Sequence, residues 1–210
     1  LCTKIGSIVE RRGSTLSIRT PEIRNYRVTE LSRKNRIPIL AIGPLLARVG
    51  RAEVPSLGGD YLGARPVNFH IAALEKLGAT IEATDALFRA QADRLCGNRI
   101  EFPYPSVGAT EAAILTAVRA RGKTAIVNAA IEPEIFDMIT MLQKMGAIIE
   151  PGSDRTIYIE GVEELHGAAH RLIPDRMEAA SFAVLALASN GEVFVEEARQ
   201  DHLMTFLNSG

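Results

Sequence analysis

The chain repeats one pattern of apolar and polar positions three times. The segments "IGSIVE" (5–10), "LGATIE" (77–82) and "MGAIIE" (145–150) begin 72 and 68 residues apart. Each follows a stretch with apolar residues at helical spacing, as in "FHIAALEKLGATIE", and carries a glycine where a helix would end. The pattern predicts a helix that leads into a strand at each of the three places.

A second shared segment lies between these places. It reads "RIPILAIGPLLARVGRAEV", "GATEAAILTAVRARGKTAIV" and "EAASFAVLALASNGEVFV", a helix that ends at Gly50, Gly122 or Gly191 and leads into a β-branched strand. Short strands such as "RTIYIEGV" lie in the loops. We predict three copies of one α/β unit of βαβαββ type with pseudo-threefold symmetry, and a kink at Gly43-Pro44 in the first copy. The chain ends in phase with its start, which fits a self-contained domain or a fragment cut at matching points.

Composition narrows the class of protein. The 210 residues are 47% hydrophobic with a net charge of -1, as in a globular protein with a sizeable core and no basic field for nucleic acid. No apolar run is long enough to span a bilayer, and "LCTKIGSIVERRGS" has no apolar segment of signal-peptide length, so we expect a cytoplasmic protein without a membrane partner. Cys2 and Cys96 have neither metal-ligand nor disulfide-framework spacing. We expect no metal.

Two loop segments carry candidate chemistry. In "GGDYLGARP", Gly58 and Gly59 suit either an ordinary turn or a mobile lid with Asp60 at its tip, and Arg65 could hold a phosphate or a carboxylate. In "PSVGATEA", Ser106 and Gly108 precede a helix, whose first N–H groups favour an anion. The alternative is that Ser106 or Thr110 simply caps that helix.

Two further helix starts correspond in position to the one at Ser106 to Gly108. Asp175 and Glu178 in "PDRMEA" have capping-box spacing, for which capping is the default interpretation. Arg36 lies in a basic run, "SRKNR", at the corresponding position of the first copy. If the starts carrying Arg36, Ser106 to Gly108 and Asp175 converge at one end of a threefold domain, they form a site for a polyanion.

Longer segments carry a family resemblance. The segments "PLLARVGRAEV", "GARPVNFHIAALEKLGATIE", "PSVGATEAAILTAVRARGKTAIVNAAIEPEIFDMITMLQKMGAIIE" and "IPDRMEAASFAVLALASNGEV" resemble the UDP-N-acetylglucosamine 1-carboxyvinyltransferase family, in the family's order and along essentially the whole chain. The resemblance implies an inside-out α/β barrel. It also implies transfer of the enolpyruvyl group of phosphoenolpyruvate to the 3-hydroxyl of UDP-N-acetylglucosamine in peptidoglycan synthesis, without a cofactor.

The resemblance also assigns roles to residues. Asp60 stands where the family usually has a cysteine that serves as a general acid or assists product release. With a carboxyl there we expect resistance to fosfomycin, which alkylates that cysteine. Arg65 would share the catalytic role by holding phosphoenolpyruvate. The positions implied to bind substrate are Arg36, Arg65, Pro66, Val67, Asn68, Phe69, Tyr104, Pro105, Ser106, Val107, Gly108, Glu132 and Asp175.

Several positions depart from the family pattern. Asn68 replaces an acid, Tyr104 a lysine and Ile131 an arginine, and Ala180 replaces a glycine. These changes raise the alternatives of another acceptor nucleotide, of shikimate 3-phosphate, and of a nucleotide-binding domain without turnover.

The family has two barrels with the site between them, and this sequence matches about one of them. We therefore expect a barrel domain over 1–174 and a helix-strand-helix segment over 175–210. That segment begins the second barrel in the family, or closes this one. The chain would supply about half of a site, which a second barrel or another copy of the chain completes.

Overall fold

A computed structural model describes residues 1–30, 36–56 and 66–207. Its helices are α1 (Cys2–Ile5), α2 (Ile42–Val49), α3 (Asn68–Lys76), α4 (Val107–Ala117), α5 (Pro133–Lys144), α6 (Arg176–Ser189) and α7 (Met204–Leu207), with 3-10 turns at Ile37–Ala41 and Gln200–Leu203. Its strands are β1 (Ile8–Arg12), β2 (Thr15–Arg19), β3 (Arg51–Pro55), β4 (Thr80–Ala83), β5 (Leu87–Gln91), β6 (Arg99–Glu101), β7 (Lys123–Val127), β8 (Ile148–Pro151) and β9 (Ile157–Glu160).

The strands form three sheets. β1 and β2 make an antiparallel hairpin, and β5 lies between β3 and β4 and is antiparallel to both. In the third sheet, of order β6-β7-β9-β8, β6 is parallel to β7 and the other pairs are antiparallel. The second and third sheets therefore share one three-stranded arrangement, β3-β5-β4 and β7-β9-β8.

This arrangement confirms the repeated unit. β6, α4, β7, α5, β8 and β9 follow one another as a complete βαβαββ unit. The unit before it runs from α2 to β5, with its first strand reduced to a parallel bridge between Arg27 and Glu53. α1, β1 and β2 match the second half of a unit, and α6 matches the helix of a first half.

The glycines predicted to end α1, α2, α3 and α5 do so, whereas α4 ends at Ala117, before Gly122, and at the end of α6 Asn190 rather than Gly191 has the left-handed conformation. Gly6, Gly78 and Gly146 follow α1, α3 and α5 with φ of 106°, 99° and 97°. Gly50 and Gly122, which precede β3 and β7, have φ of 71° and 93°. Side chains with a Cβ rarely adopt this left-handed conformation, so glycine allows the sharp change from helix to strand.

The helices α2 to α5 contribute buried residues to the core, and the β3-β5-β4 and β6-β7-β9-β8 sheets lie outside them, as the inside-out barrel requires. α4 is buried along most of its length, and α2 and α3 both pack against it. β5, β7 and β9 alternate between buried and more exposed residues, with Ile126 of β7 and Ile159 of β9 facing the core. The second and third sheets therefore cover the helices with one face and meet solvent with the other, whereas every residue of β1 and β2 is exposed.

Two local predictions need correction. The strand predicted after Gly191 is not formed, because residues 191–195 have no hydrogen-bonded strand beside them within the part of the chain that the structure describes. The predicted kink at Gly43-Pro44 lies instead at a change from the 3-10 turn Ile37–Ala41 into α2. Pro44 then falls in the first turn of α2, where a missing N–H is tolerated. No helix among the described residues is both long and apolar enough to cross a bilayer.

The crossing of α2 and α4 gives a test of the packing. A Cβ on Gly43 would overlap the hydroxyl of Thr116 and lie 3.0 Å from its Cβ. We expect Gly43→Ala to lower the free energy of unfolding by about 1–3 kcal/mol through overpacking, although alanine favours helices. The measurement is urea unfolding of the purified chain.

Two variants control this experiment. Gly167→Ala should be nearly neutral, because a Cβ on Gly167 would meet nothing within 4 Å. In a Thr116→Ala background the same Gly43→Ala change should cost less, because the overlapping hydroxyl is gone and only the contact with the Cβ of residue 116 stays. Equal stability of Gly43→Ala and the unsubstituted chain would contradict the close helix crossing.

Candidate functional site

The N-terminus of α4 is the centre of the candidate site. Ser106 has an extended backbone and its Oγ accepts a hydrogen bond from the Ala109 N–H at 3.4 Å, which confirms that Ser106 caps the helix. Val107 and Gly108 follow as the first two helical residues. N–H groups at these positions have no acceptor within their own helix, and the helix dipole gives them a partial positive charge. Capping and anion binding are therefore compatible at this helix start.

The start of α3 lies directly against this turn. His70, in the first turn of α3, approaches Gly108 so closely that a Cβ on Gly108 would be 2.8 Å from the His70 Nε2. A residue larger than glycine would displace the imidazole. The pair thus fixes the separation of the two helix starts, and it brings Pro66–Phe69 next to Ser106–Gly108.

Arg36 joins the same group of residues. Its Nη2 donates a hydrogen bond to the Pro66 carbonyl oxygen at 3.4 Å. Its positive charge also acts on His70. Arg36, the α3 start and the α4 start, which the sequence placed on three separate segments, are therefore neighbours in the fold.

His70 is neutral at neutral pH. The side chain is buried, with 5% of the residue exposed, and its Nδ1 has no hydrogen-bond partner among the described residues. Burial, and secondly the charge of Arg36, lower the pKa of His70 to about 4. The imidazole fills space between the helices without adding charge, so Arg36 and the α4 dipole set the positive potential here.

A second group of residues lies at the starts of α5 and α6. Asp175 caps α6, its Oδ1 accepting from the N–H groups of Met177 at 2.8 Å and Glu178 at 3.2 Å, which confirms the capping interpretation. Arg176 forms a two-bonded ion pair with Glu134, from Nε to Oε2 at 3.0 Å and from Nη2 to Oε1 at 2.9 Å. This pair fastens the start of α6 to that of α5.

The N-terminal part of α4 connects the two groups. Its Glu111 has a pKa raised by burial and by the negative charge of Glu134, whereas the hydrogen bonds from Arg176 lower the pKa of Glu134. Thr110 Oγ1 accepts from the Ala130 N–H at 3.0 Å, which ties α4 to the segment before α5. Glu132 precedes α5, and its Oε2 is buried without a hydrogen-bond partner in the described ranges.

The other predicted site residues differ in how far their side chains are buried. Val67 and Phe69 pack against the core, Phe69 with its ring 6.4 Å from that of Phe102, so they can offer a ligand mainly their backbone. Asn68 is exposed and Pro105 is half-buried. Tyr104 has 66% of its surface exposed, and its carbonyl oxygen accepts from the Ser106 N–H at 2.8 Å.

Some predictions cannot be placed. Asp60 and Arg65 lie outside the described residues. Within the described ranges, no group of three or more His, Cys, Asp or Glu side chains is arranged to hold a metal ion.

Sequence reasoning missed four residues of the site. They are His70, Glu111, Glu134 and Arg176. Each stands next to, or within two or three residues of, a position that was predicted, in "PVNFH", "SVGATE", "IEPE" and "PDR". A histidine on an apolar helix and opposite charges beside two predicted positions were the available signals.

The lowered pKa of His70 predicts a pH effect on stability. The folded value is about 4, against about 6.5 in an unfolded chain. Between these two pH values His70 binds a proton in the unfolded chain but not in the folded chain. The contribution of His70 to the free energy of unfolding is therefore complete above about pH 6.5. It falls by a total of about 3 kcal/mol as the pH drops to about 4.

Urea unfolding at about pH 7 and about pH 4.5 measures this loss. A His70→Gln variant cannot take up the proton, so it should lose less stability over the interval than the unsubstituted chain. An equal loss in the two proteins would show that other groups cause the pH dependence.

Comparison with known proteins shows the family of the chain. The family model of EPSP synthase (3-phosphoshikimate 1-carboxyvinyltransferase) matches residues 1–209. The chain is 47% identical over 214 residues to a UDP-N-acetylglucosamine 1-carboxyvinyltransferase of Chlamydia abortus, covering 100% of this chain and 48% of the relative. It is 48% identical over 217 residues to that of Protochlamydia amoebophila, covering 99% and 47%. The chain thus spans about half the length of these curated relatives.

Solved structures share the fold. The enolpyruvyl transferase NikO from Streptomyces tendae superposes with a TM-score of 0.69 at 24% identity, over 86% of this chain and 44% of its own. An EPSP synthase from Acinetobacter baumannii gives a TM-score of 0.64 at 19% identity, over 88% and 42%. The chain therefore belongs to the EPSP synthase (3-phosphoshikimate 1-carboxyvinyltransferase) family, and its motifs are similar to those of relatives named UDP-N-acetylglucosamine 1-carboxyvinyltransferase.

Proposed function

We propose that the chain supplies about half of the active site of an enzyme that transfers the enolpyruvyl group from phosphoenolpyruvate to UDP-N-acetylglucosamine, in the cytoplasm and as a step of peptidoglycan synthesis. The observation that carries the proposal is the identity of 46–48% to relatives named for this transfer, along the whole chain. The positive N-terminus of α4 supports it, because both substrates carry phosphate.

The reaction needs a site that holds several negative charges close together. The 3-oxygen of the sugar forms a bond to C2 of phosphoenolpyruvate, the bond from C2 to the phosphate oxygen breaks, and the hydroxyl proton is lost as inorganic phosphate departs. The acceptor keeps its diphosphate throughout. Positively charged and N–H-rich positions are therefore needed for two separate phosphate groups.

The described residues suit the binding of one of these groups, the diphosphate of the acceptor. The N–H groups of Val107 and Gly108 would hold the diphosphate, with Arg36 adding a full positive charge beside them. The backbone of Pro66–Phe69 would line the uridine end. Neutral His70 would keep the α3 start at the right separation from α4, and so position both parts of the binding surface.

Roles for Asp60 and Arg65 rest on the resemblance alone. Arg65 would hold phosphoenolpyruvate, and Asp60 would donate a proton as a general acid. A carboxylate is a poorer nucleophile than a thiolate, so the same assignment includes resistance to fosfomycin.

The rest of the site would come from outside this half. A second barrel, or another copy of the chain, would face the α4 N-terminus. The domain limits of 1–174 and 175–210 belong to the same proposal, and Asp175 would then stand where the two parts meet. The pair of Arg176 with Glu134 supports this, because it joins the first residues beyond that limit to the barrel.

Binding and turnover give separate tests. Titration calorimetry should show that the 210-residue chain binds UDP-N-acetylglucosamine, and Arg36→Gln should weaken that binding about tenfold, as expected for one charged hydrogen bond. Arg11→Gln, on the exposed hairpin, is the matched control and should leave the affinity unchanged. Absence of binding would contradict a nucleotide site at α4, and tighter binding of shikimate 3-phosphate would identify the other acceptor.

Turnover is measured as phosphate release from phosphoenolpyruvate. We expect release only when UDP-N-acetylglucosamine and the remaining half of the site are both present, and an Asp60→Asn change should slow it about 100-fold or more. Mass spectrometry after incubation with fosfomycin should show no adduct on Asp60. Unchanged turnover in Asp60→Asn would remove the acid role, and binding without any turnover would favour a nucleotide-binding domain.

A further inference from the structure

Three helices carry a lysine at the same place in their last turn. Lys4 of α1, Lys76 of α3 and Lys144 of α5 all lie two residues before the left-handed glycine that follows their helix, in "TKIG", "EKLG" and "QKMG". All three lysines are exposed. A cation in the last turn interacts favourably with the helix dipole, which accounts for the shared position. The three ammonium groups differ in their neighbours.

Two of the lysines have ordinary surface surroundings. The Lys4 Nζ forms an ion pair with Glu30 at 2.7 Å, and both side chains are more than half exposed. The Lys76 Nζ has neither an acid nor an imidazole within hydrogen-bond distance in the part of the chain that the structure describes. These two lysines therefore show what the position does without a special neighbour.

Lys144 lies against a histidine instead. Its Nζ is 3.2 Å from the His170 Nδ1, and the Nε2 of the same ring is 2.9 Å from the Asp137 Oδ1. The side chains of His170 and Asp137 are only 5% and 12% exposed, whereas Lys144 is exposed. An accessible amine is thus in contact with a buried imidazole, which a buried carboxylate holds in place.

The segment 161–174, here called the strap, carries His170 along α5. At one end of α5 the His166 N–H donates to the Met145 carbonyl oxygen at 2.9 Å. At the other end the pair of Arg176 with Glu134 fastens the residues that follow the strap. His170 contacts α5 between these two attachments, so its ring has a fixed direction toward the helix.

The two ring nitrogens of His170 have separate roles. A carboxylate can only accept a hydrogen bond, so the nitrogen that faces Asp137 carries the hydrogen. In the neutral ring Nδ1 is then the acceptor, and it faces the Lys144 Nζ. When the ring gains a proton, the carboxylate stabilises its positive charge. A nucleophile, a base within hydrogen-bond reach and a third group that orients the base form the arrangement that activates nucleophiles in proteins.

We propose that Lys144 is an acylation site at which His170 acts as the base and Asp137 orients it. The substrates are activated acyl groups, carried by an acyl phosphate or by a thioester. His170 takes one proton from the Lys144 ammonium and passes it to water. The resulting amine donates an N–H to the ring and has its lone pair free. The inference concerns modification of the chain and holds independently of the proposed function.

The acyl transfer then needs no further reactant. The lone pair of the Lys144 Nζ forms a bond to the acyl carbon, and the bond from that carbon to the phosphate oxygen or the thiol sulfur breaks. The electron pair of the broken bond goes to the leaving group. His170 takes the second proton from Nζ and gives it to the same leaving group. The product is an amide, so the side chain loses its positive charge.

The equivalent lysines provide an internal comparison. The 210-residue chain is incubated with acetyl phosphate, and separately with a soluble acetyl thioester, and acetylation of each lysine is followed by mass spectrometry of its peptides. We expect Lys144 to react about tenfold faster than Lys76, which occupies the same helix position without a histidine neighbour. Faster reaction with one donor alone would identify the carrier of the acyl group. Equal rates at the two lysines with both donors would overturn the proposal.

Variants of the buried pair test the base. Asp137→Asn removes the charge at nearly constant size, and His170→Phe removes both ring nitrogens. Each should bring the Lys144 rate to within about twofold of the Lys76 rate, while the Lys76 rate stays unchanged. Asp93→Asn, at an exposed aspartate after β5, is the matched control and should change neither rate. With folding checked by circular dichroism, a fast reaction retained in either variant would show that exposure alone sets the rate, and would overturn the proposal.

Discussion

The burial of α4 is the constraint on which the rest of the structure depends. A helix can be enclosed on several sides only if small or apolar residues line its whole circumference, and Ala112, Ala113 and Ile114, which point to different sides of α4, are all buried. The interior backbone groups bond within the helix, so its ends alone need outside partners. The N-terminal end opens beside the starts of its neighbours. A region of positive potential at that end follows from how the core is packed, before any side chain adds to it.

The electrostatics around α4 then keep that potential positive. Two carboxylates, Glu111 and Glu134, lie close enough to influence each other and would oppose an anion if both were unpaired and charged. Arg176 neutralises Glu134, and burial favours the uncharged form of Glu111. On the other side His70 is held neutral beside Arg36. The acidic side chains are thus masked, and the full positive charge on this side belongs to Arg36, because His70 is neutral.

Local features of this structure could be predicted from the sequence, and contacts between distant segments could not. The left-handed glycines and the caps at Ser106 and Asp175 depend on residues a few positions apart, and the repeated unit is visible as similar segments 72 and 68 residues apart. Pattern alone was therefore sufficient for these features. The contact of His70 with Gly108 and the pair of Glu134 with Arg176 join separate segments, and the sequence shows neither partner. The strand after Gly191 was predicted from β-branched residues, but a strand also needs a neighbour to bond with. The roles of Asp60 and Arg65 came from resemblance and lie beyond the described geometry.

The three copies show how a repeat acquires a site. Arg36, Gly108 and Met177 each lie 14 residues before the glycine that ends their segment, so they are equivalent positions. In the first copy this position is Arg36, which carries a positive charge. In the second copy it is Gly108, and because glycine has no side chain, His70 can approach the helix start. In the third it belongs to the turn that Asp175 caps, next to the arginine that neutralises Glu134. Repetition brings equivalent helix starts to the same end of the domain, and divergence at one equivalent position gives each a different task. A chain that kept the three positions identical would have the fold without this division of roles.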